Sequence, residues 1–389
     1  MTLLFEKRNV PVVSVAFAVR NGGVNEESSE KGISHFIEHM LYKGTPTRNA
    51  KKIAEEIEKN GGFLNGFTDE EITAFWCKMP SKHLNIALEV LSDMVKNPLF
   101  DEKELEKERK VIFEEIKMRK DSPTTYVLDT IQSYLYEKPL QEPLIGTVKT
   151  MSSIDRKKLI DRFNQVYQPN NMILCVVGNV SFSKVVKFAE KNFAEGRGEN
   201  KEFPVKLKIG SKVEKRKGLD QANMVFAYHV PLANNEKNYA AQVLSAIMAE
   251  GMSSRLFHEI REKRNLAYAV KGDANINKMF SYNMIYIGTT KGNVGKVKEL
   301  VLAEFEDVAK NLGEEEFRQV KEQLIGNYYI SMEDSQSQMM NLLSHEIVGD
   351  AKEFYDFEKK ILNVKIDDVK ELASGIKEGS YSFFVLEPA

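Results

Sequence analysis

The sequence predicts an α+β protein of two similar α/β domains, each a mainly antiparallel sheet flanked by helices. Three observations carry that expectation. The chain has 389 residues, too long for one ordinary hydrophobic core and suited to two bodies of common domain size. Short β-branched runs alternate with amphipathic stretches of helical period along most of its length. A polar, glycine-containing stretch over residues 194–218 interrupts the pattern near the middle, and the order of elements then recurs in outline. The expected division is a first domain over residues 1–195, a linker over 196–217 and a second domain over 218–389.

Residues 10–19 are rich in Val and read as a buried strand closed by Asn21, Gly22 and Gly23. A helix is expected from about residue 32, stopped by Gly44 and Pro46. A second follows over 50–59, with Ile53, Ala54 and Ile57 at helical spacing. Residues 63–68 and 72–78 read as strands around the acidic turn Asp69, Glu70 and Glu71. An amphipathic helix over 84–95 ends at Asn97 and Pro98. Residues 101–119 form a long charged helix whose apolar stripe is Leu105, Ile112, Phe113 and Ile116. Helices are expected again to about residue 136, over 153–167 and over 181–193, with a strand at 173–177. The second half reads as strands at 224–230, 267–272, 280–289 and 380–386, with helices over 239–248, 254–264, 296–311 and 314–328.

Composition removes several function classes. A formal net charge of −2, with acidic and basic residues mixed along the chain, gives no electrostatic reason for a nucleic-acid or anionic-membrane partner. No run of 18 apolar residues occurs, so no membrane-spanning helix is expected, and the strand pattern at the start carries no secretion signal. Cys77 and Cys175 sit in apolar strand patterns with no Cys-x-x-Cys neighbour; they are expected as core packing in a reducing, cytoplasmic setting.

The chemistry is concentrated in His35-Phe36-Ile37-Glu38-His39. At about 100° per residue, His35, Glu38 and His39 share one arc of the helix, while Ile33, Phe36, Ile37, Met40 and Leu41 occupy the other. Two His at i and i+4 stand roughly 5–6 Å apart at Cβ, close enough to share one tetrahedral Zn²⁺. The intervening carboxylate reaches the same space and suits a general base on a zinc-bound water. The order is the inverse of the thermolysin-type motif. By itself the pentapeptide is equally compatible with a polar surface face.

A catalytic zinc held by two His needs a third protein ligand. On the charged helix, Glu108 and Glu115 fall about 20° apart, beside the apolar stripe, whereas Glu114 falls on the solvent side. Periodicity therefore selects Glu115 and Glu108 over Glu114, although any one Glu here, taken alone, reads more readily as an ordinary helix charge.

Taken together, these residues resemble the pitrilysin-type (M16) zinc peptidases, a family that includes mitochondrial processing peptidases and insulin-degrading enzyme. The likeness extends through Gly44-Thr45, the stretch from Gly62 to Thr68, Glu108 to Glu115, Leu144-Ile145-Gly146 and Tyr167 to Met172. In the second half Arg261 and Tyr268 resemble the family's Arg/Tyr pair. Length and domain number resemble the smaller, processing-peptidase-like (M16B) branch, although against the family's pattern the strand before Val10 is expected to be partly missing. The resemblance implies one Zn²⁺ per chain held by His35, His39 and Glu115, with Glu38 as general base and acid and Glu108 orienting the metal site. It implies an edge strand around Asn65, Gly66 and Phe67 to which extended peptide substrates add. Arg261 and Tyr268 would contact the substrate carbonyl near the metal. It further implies an endopeptidase for unfolded peptides, working as a homodimer. The family also contains non-catalytic core and assembly subunits, which is the alternative reading of this chain.

Overall fold

The computed structural model describes residues 1–193 and 195–389; Ala194, where the expected break begins, lies outside the described residues. The first half supplies strands β1 (Thr2–Lys7), β2 (Val12–Val19), β3 (Phe63–Thr68), β4 (Thr73–Pro80) and β5 (Met172–Gly178). They form one sheet in the order β1-β5-β2-β4-β3. The second half supplies β6 (Ser211–Arg216), β7 (Ala222–His229), β8 (Ala267–Ile276), β9 (Ser281–Thr289) and β10 (Ser382–Pro388), in the order β6-β10-β7-β9-β8. Only β1–β5 and β6–β10 are parallel pairs; the other neighbours are antiparallel. The two orders correspond strand for strand, so the recurrence seen in the sequence is a repeated topology.

Helices α1 (Ile33–Leu41), α2 (Ala50–Glu58), α3 (Leu84–Lys96), α4 (Glu102–Asp121) and α5 (Pro123–Leu135) precede β5, with α6 (Val148–Ser153) and α7 (Arg156–Val166). After it come α8 (Phe182–Asn192) and α9 (Lys237–Ala249), then a π-helical turn, Phe257–Glu262. The rest are α10 (Val294–Asn311), α11 (Glu314–Ser331), α12 (Ser335–Val348), α13 (Phe357–Asn363) and α14 (Ile366–Ser374).

Several local expectations change. A full strand, β1, stands before β2, held by parallel pairing to β5. The expected linker over 196–217 contains β6, paired with β10. The helix expected over 153–167 breaks at Ile154, because the Asp155 carboxylate accepts from the Lys158 N–H (2.8 Å) and starts α7 afresh. Residues 254–264 are wound mainly as a π-turn rather than a regular helix.

The chain divides into two compact units, neither contiguous in sequence. One comprises Met1–Met118, Glu142–Pro204 and Ser331–Phe354; the other comprises Arg119–Gln141, Val205–Ile330 and Tyr355–Ala389. In the first, alternate strand residues Val13, Val15, Phe17, Phe75, Leu174 and Val176 meet α1, α3, α7 and α8 in one core. The opposite face, with Ser14, Ala16, Ala18 and Cys175, is equally buried, and α12 packs there. Ser14 and Ser335 hydroxyls lie 3.0 Å apart, and Met339 is fully buried. Burial on both faces explains why β2 reads as a continuous run of small apolar residues instead of an alternation. The second unit repeats the arrangement. Met224, Phe226, Ile285 and Phe383 face α9 and α10, while α5 covers the other side, with Tyr134 stacked on Phe384 at 5.6 Å. Each half thus lends one helix to the other half's sheet. Cys77 and Cys175 are buried, unpaired thiols, and no described helix is long and apolar enough to cross a membrane.

A chain ending at residue 204 lacks α12, which leaves one apolar face of its sheet bare. It should run as aggregate or expanded monomer in size-exclusion chromatography without a cooperative thermal transition; a compact, cooperatively melting fragment would contradict this.

Candidate metal centre

α1 is seated by its apolar arc. Ile33, Phe36, Ile37, Met40 and Leu41 are essentially removed from solvent, while His35, Glu38 and His39 are only partly covered. The imidazoles of His35 and His39 lie 4.6 Å apart between ring centres, at 71° to each other. α4 crosses beside them. Its Arg109 guanidinium rests over the Phe36 ring at 5.3 Å and donates to the Ile154 carbonyl at 2.9 Å, fixing α4 against α1.

That contact presents two carboxylates to the histidines. Glu115 Oε2 is 3.6 Å from Nε2 of both His35 and His39. A tetrahedral ion bonded at roughly 2.0–2.1 Å keeps its ligand atoms about 3.4 Å apart, and both separations from Glu115 are close to that spacing. One donor atom from each of the three residues lies within 4.8 Å of the others. Glu108 is buried and takes a different place: its Oε2 is 3.1 Å from His39 Nδ1, and its Oε1 is 2.7 Å from Lys43 Nζ. Glu114 is largely solvent-exposed beside Lys117.

Electrostatics follow from these distances. Burial alone would depress His39, but hydrogen bonds to Glu108 and Glu115 outweigh it and push its pKa up to about 9. The two carboxylates thus favour positive charge at this point, whether a proton or a metal ion carries it. For Glu108, burial would raise the pKa, yet His39 and Lys43 hold it below the ordinary carboxylate value. Glu38 moves the other way, raised by burial in spite of a 2.7 Å hydrogen bond from the Thr68 hydroxyl to its Oε2.

β3, one of the two edge strands of its sheet, passes directly over Glu38. A Cβ on Gly66 would lie 2.4 Å from the Tyr42 hydroxyl oxygen, 2.9 Å from the Ala74 carbonyl oxygen and 3.4 Å from Glu38 Oε1. Only glycine allows that approach. Asn65 is exposed and its Oδ1 accepts from the Gly66 N–H at 2.8 Å, while Phe67 is half-buried. The structure therefore gathers His35, Glu38, His39, Glu108, Glu115 and β3 in one unit.

Arg261 and Tyr268 belong to the other unit. Arg261 lies in the π-turn with its guanidinium over Phe257 at 4.7 Å. Tyr268 is 47% exposed and sits at a bulge of edge strand β8, its ring flat against Gly288 and its hydroxyl 3.3 Å from that of Tyr286. In this unit α9 takes the chain position of α1, between the second and third strands, and is buried along nearly its whole length with no His or Glu. The repeat is one of topology, without a second His/Glu cluster among the described residues.

Residues 2–148 match the family model described as insulinase (peptidase family M16), and residues 153–324 match the one described as peptidase M16 inactive domain. The chain is 33% identical to an uncharacterized zinc protease of Rickettsia felis, covering 96% of this chain and 92% of that protein. The chain belongs to the M16 peptidase family. A zinc protease of Bacillus subtilis, also uncharacterized, is 32% identical over 98% of this M16 chain and 95% of its own. The solved structure of a protease from Helicobacter pylori has the same fold, with a TM-score of 0.92 at 22% identity over 99% and 97% of the two chains.

Sequence reasoning missed three neighbours of the M16 cluster. Lys43 follows His39 by one helical turn, so the period that selected Glu115 reaches it too. Thr68 lies two residues from Gly66 on one strand and so shares its face. Tyr42 had no sequence signal. Replacing Gly66 with Ala should lower stability by about 1–3 kcal/mol through overpacking and displace β3. Adding Tyr42→Phe should restore part of that loss in thermal melting; equal melting of Gly66→Ala and the parent protein would refute the close approach.

Proposed function

We propose that this chain is a zinc-dependent endopeptidase of the processing-peptidase-like branch, cleaving unfolded peptides bound in extended form. The observation that carries the reading is the placement of one Glu115 oxygen 3.6 Å from both histidine Nε2 atoms, with Glu38 beside them and not among them. His35, His39 and Glu115 would hold one zinc per chain, and Glu108 would orient His39 through Nδ1, leaving Nε2 for the metal. When bound, zinc supplies Lewis acidity and lowers the pKa of water. Glu38 accepts the proton of the attacking water at the carboxylate oxygen that Thr68 does not hold, then returns it to the departing amine. Burial, which raises the Glu38 pKa, suits a group that must both take and give a proton.

Substrate would add to the outer edge of β3 beside Asn65, Gly66 and Phe67, where main-chain hydrogen bonds supply affinity with little sequence demand. Arg261 and Tyr268 would reach the substrate carbonyl. Buried, unpaired cysteines favour a reducing, cytoplasmic setting. The non-catalytic reading draws on the match to an inactive domain, but that match covers residues 153–324, the part of the chain without the His-x-x-Glu-His motif.

One set of samples tests the proposal. Glu38→Gln should keep its zinc in elemental analysis while cleavage of a quenched peptide falls on the order of 10²–10⁴-fold. Glu115→Gln should lose zinc. The parent protein should weigh twice its 44.4 kDa chain mass by light scattering if it works as a homodimer. Full cleavage by zinc-loaded Glu38→Gln would end the assignment, and unchanged zinc in Glu115→Gln would move the third ligand elsewhere.

A further inference from the structure

α1 begins without a cap of its own. Its N-cap residue is Gly32, held at φ 94° with no side chain to offer the first-turn N–H groups. Those groups are satisfied from outside the helix. Glu26 Oε2 accepts from the Gly32 N–H at 2.9 Å and Glu26 Oε1 from the Ser34 N–H at 2.7 Å. This carboxylate is 1% exposed, so it is a charged cap at the positive end of the helix dipole, in a place water does not reach.

A buried carboxylate needs compensation, and the compensation leads to β3. Lys31, with no solvent exposure, places Nζ 3.9 Å from Glu26 Oε2, 3.5 Å from Glu70 Oε2 and 2.8 Å from the Gly23 carbonyl oxygen. Glu70 lies in the turn joining β3 to β4. The same turn receives the Gly23 and Val24 N–H groups at its Asp69 and Glu70 carbonyls, at 3.2 and 2.9 Å. A Cβ on Gly23 would stand 2.2 Å from Glu70 Oε2 and 2.8 Å from Lys31 Nζ, so a side chain here would displace the ion pair. On the other side Arg162 of α7 donates to Asn21 Oδ1 at 2.7 Å, and Asn21 donates to the Ser34 hydroxyl at 2.9 Å. Two cations and two anions, all buried, thus surround the first turn of α1.

We propose that Glu26 and Lys31 are positioning residues of the zinc-peptidase site, holding α1 in fixed register with the β3–β4 hairpin. Glu26 fixes the axial position of the helix that carries His35, Glu38 and His39. Lys31 ties that carboxylate to the turn of the strand that carries Gly66 and Thr68. The ion quartet does not touch the site; it acts through the helix end and the hairpin end. A well-packed apolar cluster of the same volume would hold these elements together but would leave sliding along the helix axis weakly opposed, whereas two N–H···carboxylate bonds oppose it directly. The assignment of the site itself rests on the zinc-peptidase reading above.

The full chain tests this with Glu26→Gln, which keeps shape and removes charge. In metal-free protein, amide hydrogen exchange at Gly32 and Ser34 should accelerate at least about tenfold, while β5 amides keep their parent rates. In cobalt-substituted protein the absorption spectrum should change, and kcat for a quenched peptide should fall about tenfold or more with KM within about twofold. If Glu26→Gln does not fold, Asn21→Ala, which frees the Ser34 hydroxyl and removes one acceptor of Arg162, should give the same changes at smaller size. A folded variant with parent exchange at Gly32 and Ser34 overturns the capping role; parent cobalt spectrum and kcat overturn the positioning role. Failure of the parent protein to bind cobalt or cleave peptide would instead overturn the zinc-peptidase reading, and the exchange measurement would still decide the cap.

Discussion

Everything in the candidate site depends on how α1 is seated. Its apolar residues are sealed into the first core, which leaves the helix no freedom to rotate without exposing Phe36 or Ile37. Rotation fixed, the direction of His35, Glu38 and His39 is fixed too. The remaining freedom is translation along the axis and the distance to α4. Arg109 over Phe36 governs the second, and the buried contacts of Glu26 bear on the first.

The same constraint separates three carboxylates that chemistry alone treats as equivalent. Glu115 stands within reach of both Nε2 atoms, Glu108 is turned to Nδ1 and Lys43, and Glu38 is partly covered beneath β3 with one oxygen held by Thr68. Environment divides them into a ligand-like group, an orienting group held ionised by its partners, and a group whose pKa rises on burial. In the second unit, α9 takes the place of α1 in an equivalent topology but is buried nearly all round by small and aliphatic residues. Repeated topology does not carry the chemistry with it.

Much of this was legible in the sequence, for identifiable reasons. The helical period places His35, Glu38 and His39 on one arc and separates Glu115 from Glu114, since both judgements use only angles along one helix. The strands with dense β-branched runs, such as β2 and β5, stand out for the same kind of reason. What escaped depends on partners distant in sequence. β1 and β6 are parallel edge strands with mixed residues, and each exists because of pairing with a strand far along the chain. The exchange of α5 and α12 between the sheets leaves no periodic trace. Lys31 reads as one more surface lysine until Glu26 and Glu70 are brought against it.

The central claim is that two histidines and Glu115 form a metal site whose remaining carboxylates have other tasks. The most direct measurement is anomalous diffraction at the zinc edge from crystals of the zinc-loaded protein. The account predicts one zinc peak per chain, about 2.0–2.2 Å from His35 Nε2, His39 Nε2 and a Glu115 oxygen, with Glu38 and Glu108 outside bonding distance. A peak elsewhere, or one ligated by Glu38 or Glu108 in place of Glu115, would contradict it.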